Sequence, residues 1–305
     1  MKKIPNRQVH LDFHTSEMID QVGSKFSAEE FADTLKNANV EAVTLFTRCH
    51  HGNLYYDSTK YPERIHPHLK VKDMYREQAK ECRKKGIKVY LYTTICWDIR
   101  VAAEHPEWVA IDDYARISRR ETGNIFEDPG FHVDLCINSP YREFCKEQIA
   151  DALENCPVDG VLVDASFVVE CCCPRCRKSM LEKHLNPADP QDRKKHAWQI
   201  YYDFVREMTD YLHEIDSDYD IFFNKGHVGA QDIPVRDCFD YVAVESQPAN
   251  CGYMDFPVSA RYLRTWGVPV VGMTGRFLTG WGDNNSYRNQ AALEYESFSA
   301  LSYGG

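Results

Sequence analysis

Four cysteines lie close together in the stretch ECCCPRC (170–176). Three of them, Cys171, Cys173 and Cys176, have the C-x-C-x-x-C spacing that lets thiolates of one loop converge on a single metal ion. Cys136, in LCINSPYRE, follows a short extended run and precedes a helix, so we expect it on the same face as the fourth ligand. Four thiolates leave no coordination position for water, so this pattern predicts a structural zinc site.

Two alternatives remain open for these thiols. They could be free loop cysteines, or Cys172 could replace one of its neighbours as a ligand. A third hypothesis is a metal-dependent hydrolase, which would need an open zinc position and would lose activity with chelators. The chain has 12 cysteines among 305 residues but no secretory signal, which favours free thiols plus a metal site over a disulfide framework.

Two carboxylates stand at the expected ends of buried strands. Asp164 ends the run DGVLVDA, and Glu245 has the same placement in YVAVES. A carboxylate is costly inside an apolar strand, but at the C-terminal end of a barrel strand it projects into the barrel mouth. Such a pair is typical of glycoside hydrolysis, with one nucleophile and one acid/base. Each alone could be a capping or salt-bridged group, and Asp159, at a strand start, is more typical of a turn.

Adjacent histidines occur in TRCHHGNLYYDS (47–58). His50 and His51 point in different directions in an extended chain, so we do not expect both on one metal; near a sugar they can donate hydrogen bonds to hydroxyls. The alternative is one buried and one exposed histidine. Aromatic residues that could stack on a sugar face are Tyr55, Tyr56, Trp97, Phe277 and Trp281.

The elements that must position these residues alternate along the chain. Short apolar runs predict strands at 9–14, 42–49, 88–96, 160–166, 220–226, 241–246 and 268–275. Amphipathic or helix-forming stretches predict helices at 27–40, 68–86, 141–156, 197–215 and 290–303, with a polar loop at 184–196.

This alternation predicts a parallel sheet with helices outside it. A doubly wound sheet and a (β/α)8 TIM barrel are both compatible with the pattern. Polar residues at nearly every strand end favour the barrel, and no G-x-G-x-x-G follows the first strand. We therefore expect one catalytic barrel domain over residues 1–305. Its eighth strand should begin where the sequence ends, so the barrel would be truncated there or closed differently.

The composition of the chain disfavours several classes of protein function. The formal net charge of -10 disfavours non-specific nucleic-acid binding. No apolar run approaches the roughly 18 residues of a membrane helix, and the N-terminus has no signal-like apolar core. We expect a cytoplasmic protein that acts on a small neutral ligand and needs no organic cofactor; a homo-oligomer is compatible with this.

The histidine segment resembles that of the α-L-fucosidases of glycoside hydrolase family 29, and nearly the whole chain resembles uncharacterised fucosidase-like hydrolases, including family 151. Cys49 stands where family 29 has lysine. The resemblance implies that Asp164 is the nucleophile, that Glu245 is the acid/base by its strand position, and that Lys225, in FFNKG, occupies a substrate-binding arginine position. Lysine keeps the charge but loses the bidentate fork.

The cysteine pattern is similar to that of family 42 β-galactosidases. That resemblance implies a structural zinc held by Cys136, Cys171, Cys173 and Cys176. The acid/base of those enzymes commonly lies in an Asn-Glu pair after the fourth strand, where this chain has Asp164 and Ala165.

We therefore expect a retaining, α-L-fucosidase-like glycoside hydrolase. Asp164 would form a glycosyl-enzyme and Glu245 would serve as acid/base, which needs carboxyl groups roughly 5–5.5 Å apart. Trp97 would form a wall of the sugar site, beside His14, His50, His51, Asn224 and Lys225. The alternatives are a β-galactosidase-like hydrolase and an inactive carbohydrate-binding barrel.

Overall fold

The computed structural model describes residues 4–119, 132–154, 156–278 and 286–304. Strands and helices alternate along this part of the chain. The strands are β1 (Gln8–His10), β2 (Ala42–Phe46), β3 (Lys88–Thr94), β4 (Gly160–Asp164), β5 (Asp220–Phe223), β6 (Val242–Ser246) and β7 (Val270–Thr274). The helices are α1 (Ala28–Asn37), α2 (Met74–Lys84), α3 (Ile99–Glu104), α4 (Tyr141–Leu153), α5 (Pro174–Glu182), α6 (Pro190–Ile215), α7 (Pro248–Cys251), α8 (Asp255–Leu263) and α9 (Gln290–Tyr303).

Side-chain caps mark the beginnings of α1 and α6. The Ser27 hydroxyl accepts a hydrogen bond from the backbone N–H of Glu30 at the start of α1, where the predicted helix 27–40 begins. Helix α6 begins earlier than the predicted residue 197. Asp189 accepts from the N–H of Gln191, and Pro190 takes the first helical position, so part of the predicted polar loop is helical.

Residues Arg7–Tyr219 form one compact unit. Its strands β1 to β4 pair in sequence order, and every pairing is parallel. All five residues of β2 are buried, as are six of the seven in β3, because a parallel sheet is covered on both faces. Parallel pairing places the C-terminal ends of all four strands at one edge of the sheet, which is where the predicted polar residues of this unit follow.

Residues Met1–Asn6 and Asp220–Gly305 form the other unit. Strands β6 and β7 pair in parallel with Glu245 opposite Met273, and the N–H of Asp240 donates to the carbonyl of Ile221 in β5 at 3.1 Å. Helix α9 packs closely on β7 at Gly272, where an added Cβ would lie 2.7 Å from that of Ala300.

The α/β class with parallel strands is therefore confirmed. All seven predicted strands form, and the predicted last helix has the predicted bounds. A closed eight-stranded barrel and a single domain stay predictions. Within the part of the chain that the structure describes, no helix has both the length and the apolar character needed to cross a bilayer.

Candidate active site and cysteine cluster

Asp164 is the last residue of β4, opposite Thr94 at the end of β3. The hydroxyl of Tyr92 donates a hydrogen bond to Oδ2 of Asp164 at 2.5 Å, and Nε2 of His50 lies 3.8 Å from the same oxygen. Burial, followed by the nearby Asp164 charge, raises the pKa of Tyr92 well above its ordinary value, so the phenol stays protonated and can donate. The Asp164 side chain is only 16% exposed, so these contacts form its immediate surroundings.

The backbone turns sharply directly after this carboxylate. Ala165 is buried and has a φ of +51°, a left-handed conformation that costs a non-glycine residue about 1–2 kcal/mol. Two backbone hydrogen bonds hold the turn: Ile95 N–H to the Asp164 carbonyl at 2.9 Å, and Cys96 N–H to the Ala165 carbonyl at 3.0 Å. A strained turn maintained by its surroundings is typical of functional sites.

His50 is buried within a group of rings. Its ring stacks on that of His14 with centroids 4.1 Å apart, and the indole of Trp97 meets it edge-on at 5.1 Å. Nδ1 of His50 lies 2.8 Å from the hydroxyl oxygen of Thr94. Burial, and then the neighbouring histidines, lower the pKa of His50 well below its ordinary value, so the ring is neutral at pH 7.

His14 is connected to a carboxylate that we did not single out from the sequence. Oδ1 of Asp12 lies 3.2 Å from Nε2 of His10 and 3.7 Å from Nε2 of His14. Burial lowers the pKa of His14 to about 4, although Asp12 acts in the opposite direction. The alternation of VHLDFH contains the signal for this group, because His10, Asp12 and His14 share one face of an extended chain.

His51 lies in different surroundings from His50. Burial lowers the pKa of His51, while the charge of Glu17 raises it and that of His66 lowers it. The two adjacent histidines therefore have different neighbours.

Trp97 is anchored at its polar end. Nε1 of Trp97 donates to Oδ1 of Asp134 at 3.0 Å, and its ring centroid lies 4.5 Å from that of His132 and 4.6 Å from that of Phe167. The ring contacts and the hydrogen bond to Asp134 thus hold the indole in place, as a fixed wall of a binding site requires.

The other aromatic candidates are placed less favourably for stacking. Tyr55 and Tyr56 are fully buried, and the Tyr55 hydroxyl contacts that of Thr15 at 2.8 Å. Phe277 is also buried, and Trp281 lies outside the described residues.

A buried ion pair supports the loop that carries the histidines. Nη1 of Arg48 donates to Oδ2 of Asp98 at 2.8 Å, and both side chains are at most 1% exposed. Arg48 also donates to the carbonyl of Thr94, and Asp98 caps α3 by accepting from the N–H of Val101 at 2.9 Å. Gly52 fits against this pair with a φ of +80°; a Cβ there would lie 2.4 Å from Oδ1 of Asp98.

The remaining predicted residues lie in the unit that contains β6 and β7. The side-chain amide of Asn224 donates to Oε1 of the partly buried Glu245 at 2.7 Å. The ammonium of Lys225 lies 3.1 Å from the fully buried carboxylate of Asp232. Its charge is therefore partly compensated within the protein. The N–H of Gly226 donates to Oδ1 of Asn224 at 3.1 Å, which fixes the orientation of that amide.

The predicted cysteine cluster forms in the Arg7–Tyr219 unit. The sulfurs of Cys136, Cys171, Cys173 and Cys176 all lie within 4.8 Å of one another, and all four residues are buried. The Sγ atom of Cys136 lies 3.5 Å from that of Cys176 and 3.9 Å from that of Cys173. Ligands at about 2.3 Å from a tetrahedral zinc would be separated by about 3.8 Å. The convergence of the four thiols is confirmed, and their spacing fits one metal ion.

The four thiols shift one another's ionisation. Hydrogen bonds from Cys136, Cys171 and Cys176 hold the pKa of Cys173 far below its ordinary value, whereas the pKa values of Cys136 and Cys176 are raised within the same group. Cys173 also occupies the N-cap position of α5, where a helix stabilises negative charge. Cys172 is not among the four; its backbone N–H donates to Ile111 at 2.7 Å. Four soft sulfur atoms that converge in buried surroundings fit a metal cation.

The chain is similar to known glycosyl hydrolases. Residues 27–165 match the family model described as hypothetical glycosyl hydrolase 6. The chain is similar to the solved structure of α-L-fucosidase isoenzyme 2 from Paenibacillus thiaminolyticus, with 32% identity and a TM-score of 0.90 over 99% of this chain and 45% of that one. It is also similar to a β-galactosidase from Marinomonas ef1, with 14% identity and a TM-score of 0.67 over 97% of this chain and 52% of that one.

A third similar structure is a family 29 α-L-fucosidase from Bacteroides thetaiotaomicron, with 15% identity and a TM-score of 0.55 over 93% of this chain and 54% of that one. No curated protein matches. The chain spans about half the length of these solved proteins. The resemblance to α-L-fucosidase-like glycosyl hydrolases is confirmed, and the fold is one related to α-L-fucosidases and β-galactosidases.

Proposed function

We propose that the protein is a retaining glycoside hydrolase of the α-L-fucosidase-like kind. The observation that carries the proposal is the setting of Asp164, which receives the Tyr92 hydroxyl and faces His50 at the end of β4. The identity of 32% over nearly the whole chain to an α-L-fucosidase supports this sugar class. The likeness to the β-galactosidase, at 14% identity, supports the fold alone.

In the proposed mechanism, a carboxylate oxygen of Asp164 attacks the anomeric carbon while the bond to the leaving oxygen breaks. Glu245 gives its proton to that oxygen, then takes a proton from the water that hydrolyses the glycosyl-enzyme and frees Asp164. The hydroxyl of Tyr92 donates to the carboxylate of Asp164 and orients it. The residues assigned to sugar binding are His14, His50, His51, Trp97, Asn224 and Lys225.

The proposal includes a single catalytic (β/α)8-type barrel over residues 1–305, supported by the repeated parallel βα units. It also includes a cytoplasmic location. In the described part of the chain the cysteines are free thiols, which persist in a reducing compartment.

We also propose that the cysteine cluster holds a structural zinc ion. When bound, the ion would supply a closed cross-link without an open coordination position. Cys136 follows Asp134, which anchors Trp97, and Cys171 lies in the loop after Asp164. The cluster would therefore tie together the segments that carry the Trp97 anchor and the loop after the nucleophile.

The test compares Asp164→Ala and Glu245→Ala with the wild type on aryl α-L-fucoside and aryl β-galactoside. Asp159→Asn is the matched control, because Asp159 lies at the start of the same strand and accepts from Arg83 at 2.6 Å. We expect loss of turnover in the first two variants and near wild-type turnover in the control. Wild-type turnover by Asp164→Ala would refute the mechanism. Faster galactoside turnover would favour a β-galactosidase, and sugar binding without turnover an inactive carbohydrate-binding protein.

A further inference from the structure

The buried hydroxyl of Thr94 lies between a ring and a carbonyl of the candidate site. Its oxygen is 2.8 Å from Nδ1 of His50 and 3.1 Å from the backbone carbonyl oxygen of Trp97. A carbonyl oxygen only accepts, and a hydroxyl has one hydrogen to donate. If that hydrogen goes to the Trp97 carbonyl, the Thr94 oxygen must accept the second hydrogen bond from His50.

We propose that Thr94 is a positioning residue that holds neutral His50 in the tautomer protonated at Nδ1, so that Nε2 presents a lone pair toward Asp164. The arrangement satisfies the hydroxyl, the ring N–H and a buried carbonyl together. Thr94 itself is fixed, because its carbonyl accepts from Arg48 and its backbone pairs with Asp164 in the sheet.

This tautomer determines which partner donates the hydrogen bond between His50 and the substrate. The inference rests on the proposed function. Nε2 of His50 lies 3.8 Å from Oδ2 of Asp164. In this tautomer both atoms are acceptors, so a group that binds beside them must donate a hydrogen. The matching substrate group is a sugar hydroxyl acting as donor. This reverses the expectation from the sequence that His50 donates to the sugar.

The surroundings of His50 keep its ring neutral, which the proposed tautomer requires. The rings of His14 and Trp97 enclose it, and its lowered pKa keeps it neutral at pH 7. A protonated ring would carry N–H on both nitrogens, and the distinction between donor and acceptor would disappear.

The experiment is nitrogen-detected NMR of the unliganded full chain labelled with 15N-histidine, with the His50 signals assigned by His50→Gln. We expect protonated Nδ1 and unprotonated Nε2 in the wild type. Thr94→Ser should keep that pattern, whereas Thr94→Val, which has a similar shape but no hydroxyl, should lose it. A wild-type ring protonated at Nε2, or an unchanged pattern in Thr94→Val, would overturn the proposal.

Kinetics then separate this proposal from the proposed function. On an aryl α-L-fucoside, Thr94→Val should lower kcat/KM about tenfold, the effect of losing one hydrogen bond, and Thr94→Ser should restore most of it. If the tautomer is as proposed but the wild type turns over neither glycoside, the proposed function fails while the positioning role stands. Equal kcat/KM in Thr94→Val and the wild type would refute the positioning role.

Discussion

The largest change in the free energy of unfolding that we predict is at Gly52. Replacing Gly52 with alanine places a Cβ 2.4 Å from Oδ1 of Asp98 and 2.7 Å from Cβ of Arg100, at a φ of +80°. The left-handed backbone alone costs about 1–2 kcal/mol. The clash must also move Asp98, whose carboxylate is the buried partner of Arg48, and separating a buried ion pair costs about 3–5 kcal/mol. We therefore expect Gly52→Ala to lower the free energy of unfolding by about 4–7 kcal/mol.

Gly86 provides the matched control. It has a similar φ of +72°, but an added Cβ there would meet nothing within 4 Å. Gly86→Ala should therefore cost only the backbone term of about 1–2 kcal/mol. Urea denaturation of both variants, followed by far-UV circular dichroism, measures the difference. If Gly52→Ala loses no more stability than Gly86→Ala, the reasoning about the ion pair is wrong.

Three further outcomes follow from the geometry. Cys136→Ser should lower both the Tm and the amount of bound zinc measured by elemental analysis. Cys172→Ser should leave both unchanged, because Cys172 is outside the cluster. Equal zinc contents in the two variants would contradict the proposed ligand set. His14 has its pKa lowered from 6.5 to about 4, so its contribution to stability is full above pH 6.5 and falls by up to about 3 kcal/mol toward pH 4. His14→Gln should therefore flatten the pH dependence of the unfolding free energy across that window; a parallel curve would disprove it. Asp134→Ala should release the indole of Trp97 and raise KM more than it lowers kcat, and an unchanged KM would count against the wall.

Local patterns in the sequence determined much of the fold. Apolar runs located all seven strands, because strands covered on both faces of a parallel sheet must be apolar almost throughout. The cap at Ser27 lies where the predicted helix 27–40 begins. The polar stretch 184–196 is helical only from Pro190 onward, because the side chain of Asp189 caps the first turn of α6; its charged residues alone predict a loop.

The cysteine cluster shows how far spacing alone can reach. Cys171, Cys173 and Cys176 are close in sequence, so a short loop is enough to bring their sulfurs together. Cys136 was expected on the same face from its place before a helix, and the structure brings its sulfur to the other three. The sequence thus predicted which four thiols converge.

The hydrogen-bond roles around Asp164 were decided only by the tertiary structure. Tyr92 and Thr94 are ordinary members of an apolar strand in the sequence, and nothing in their spacing indicates a polar role. Parallel pairing of β3 with β4 brings both beside Asp164, and the loop after β2 places His50 against Thr94. Residue types therefore indicated which chemistry is available, whereas the direction of each hydrogen bond depends on distances between segments that are far apart in the chain.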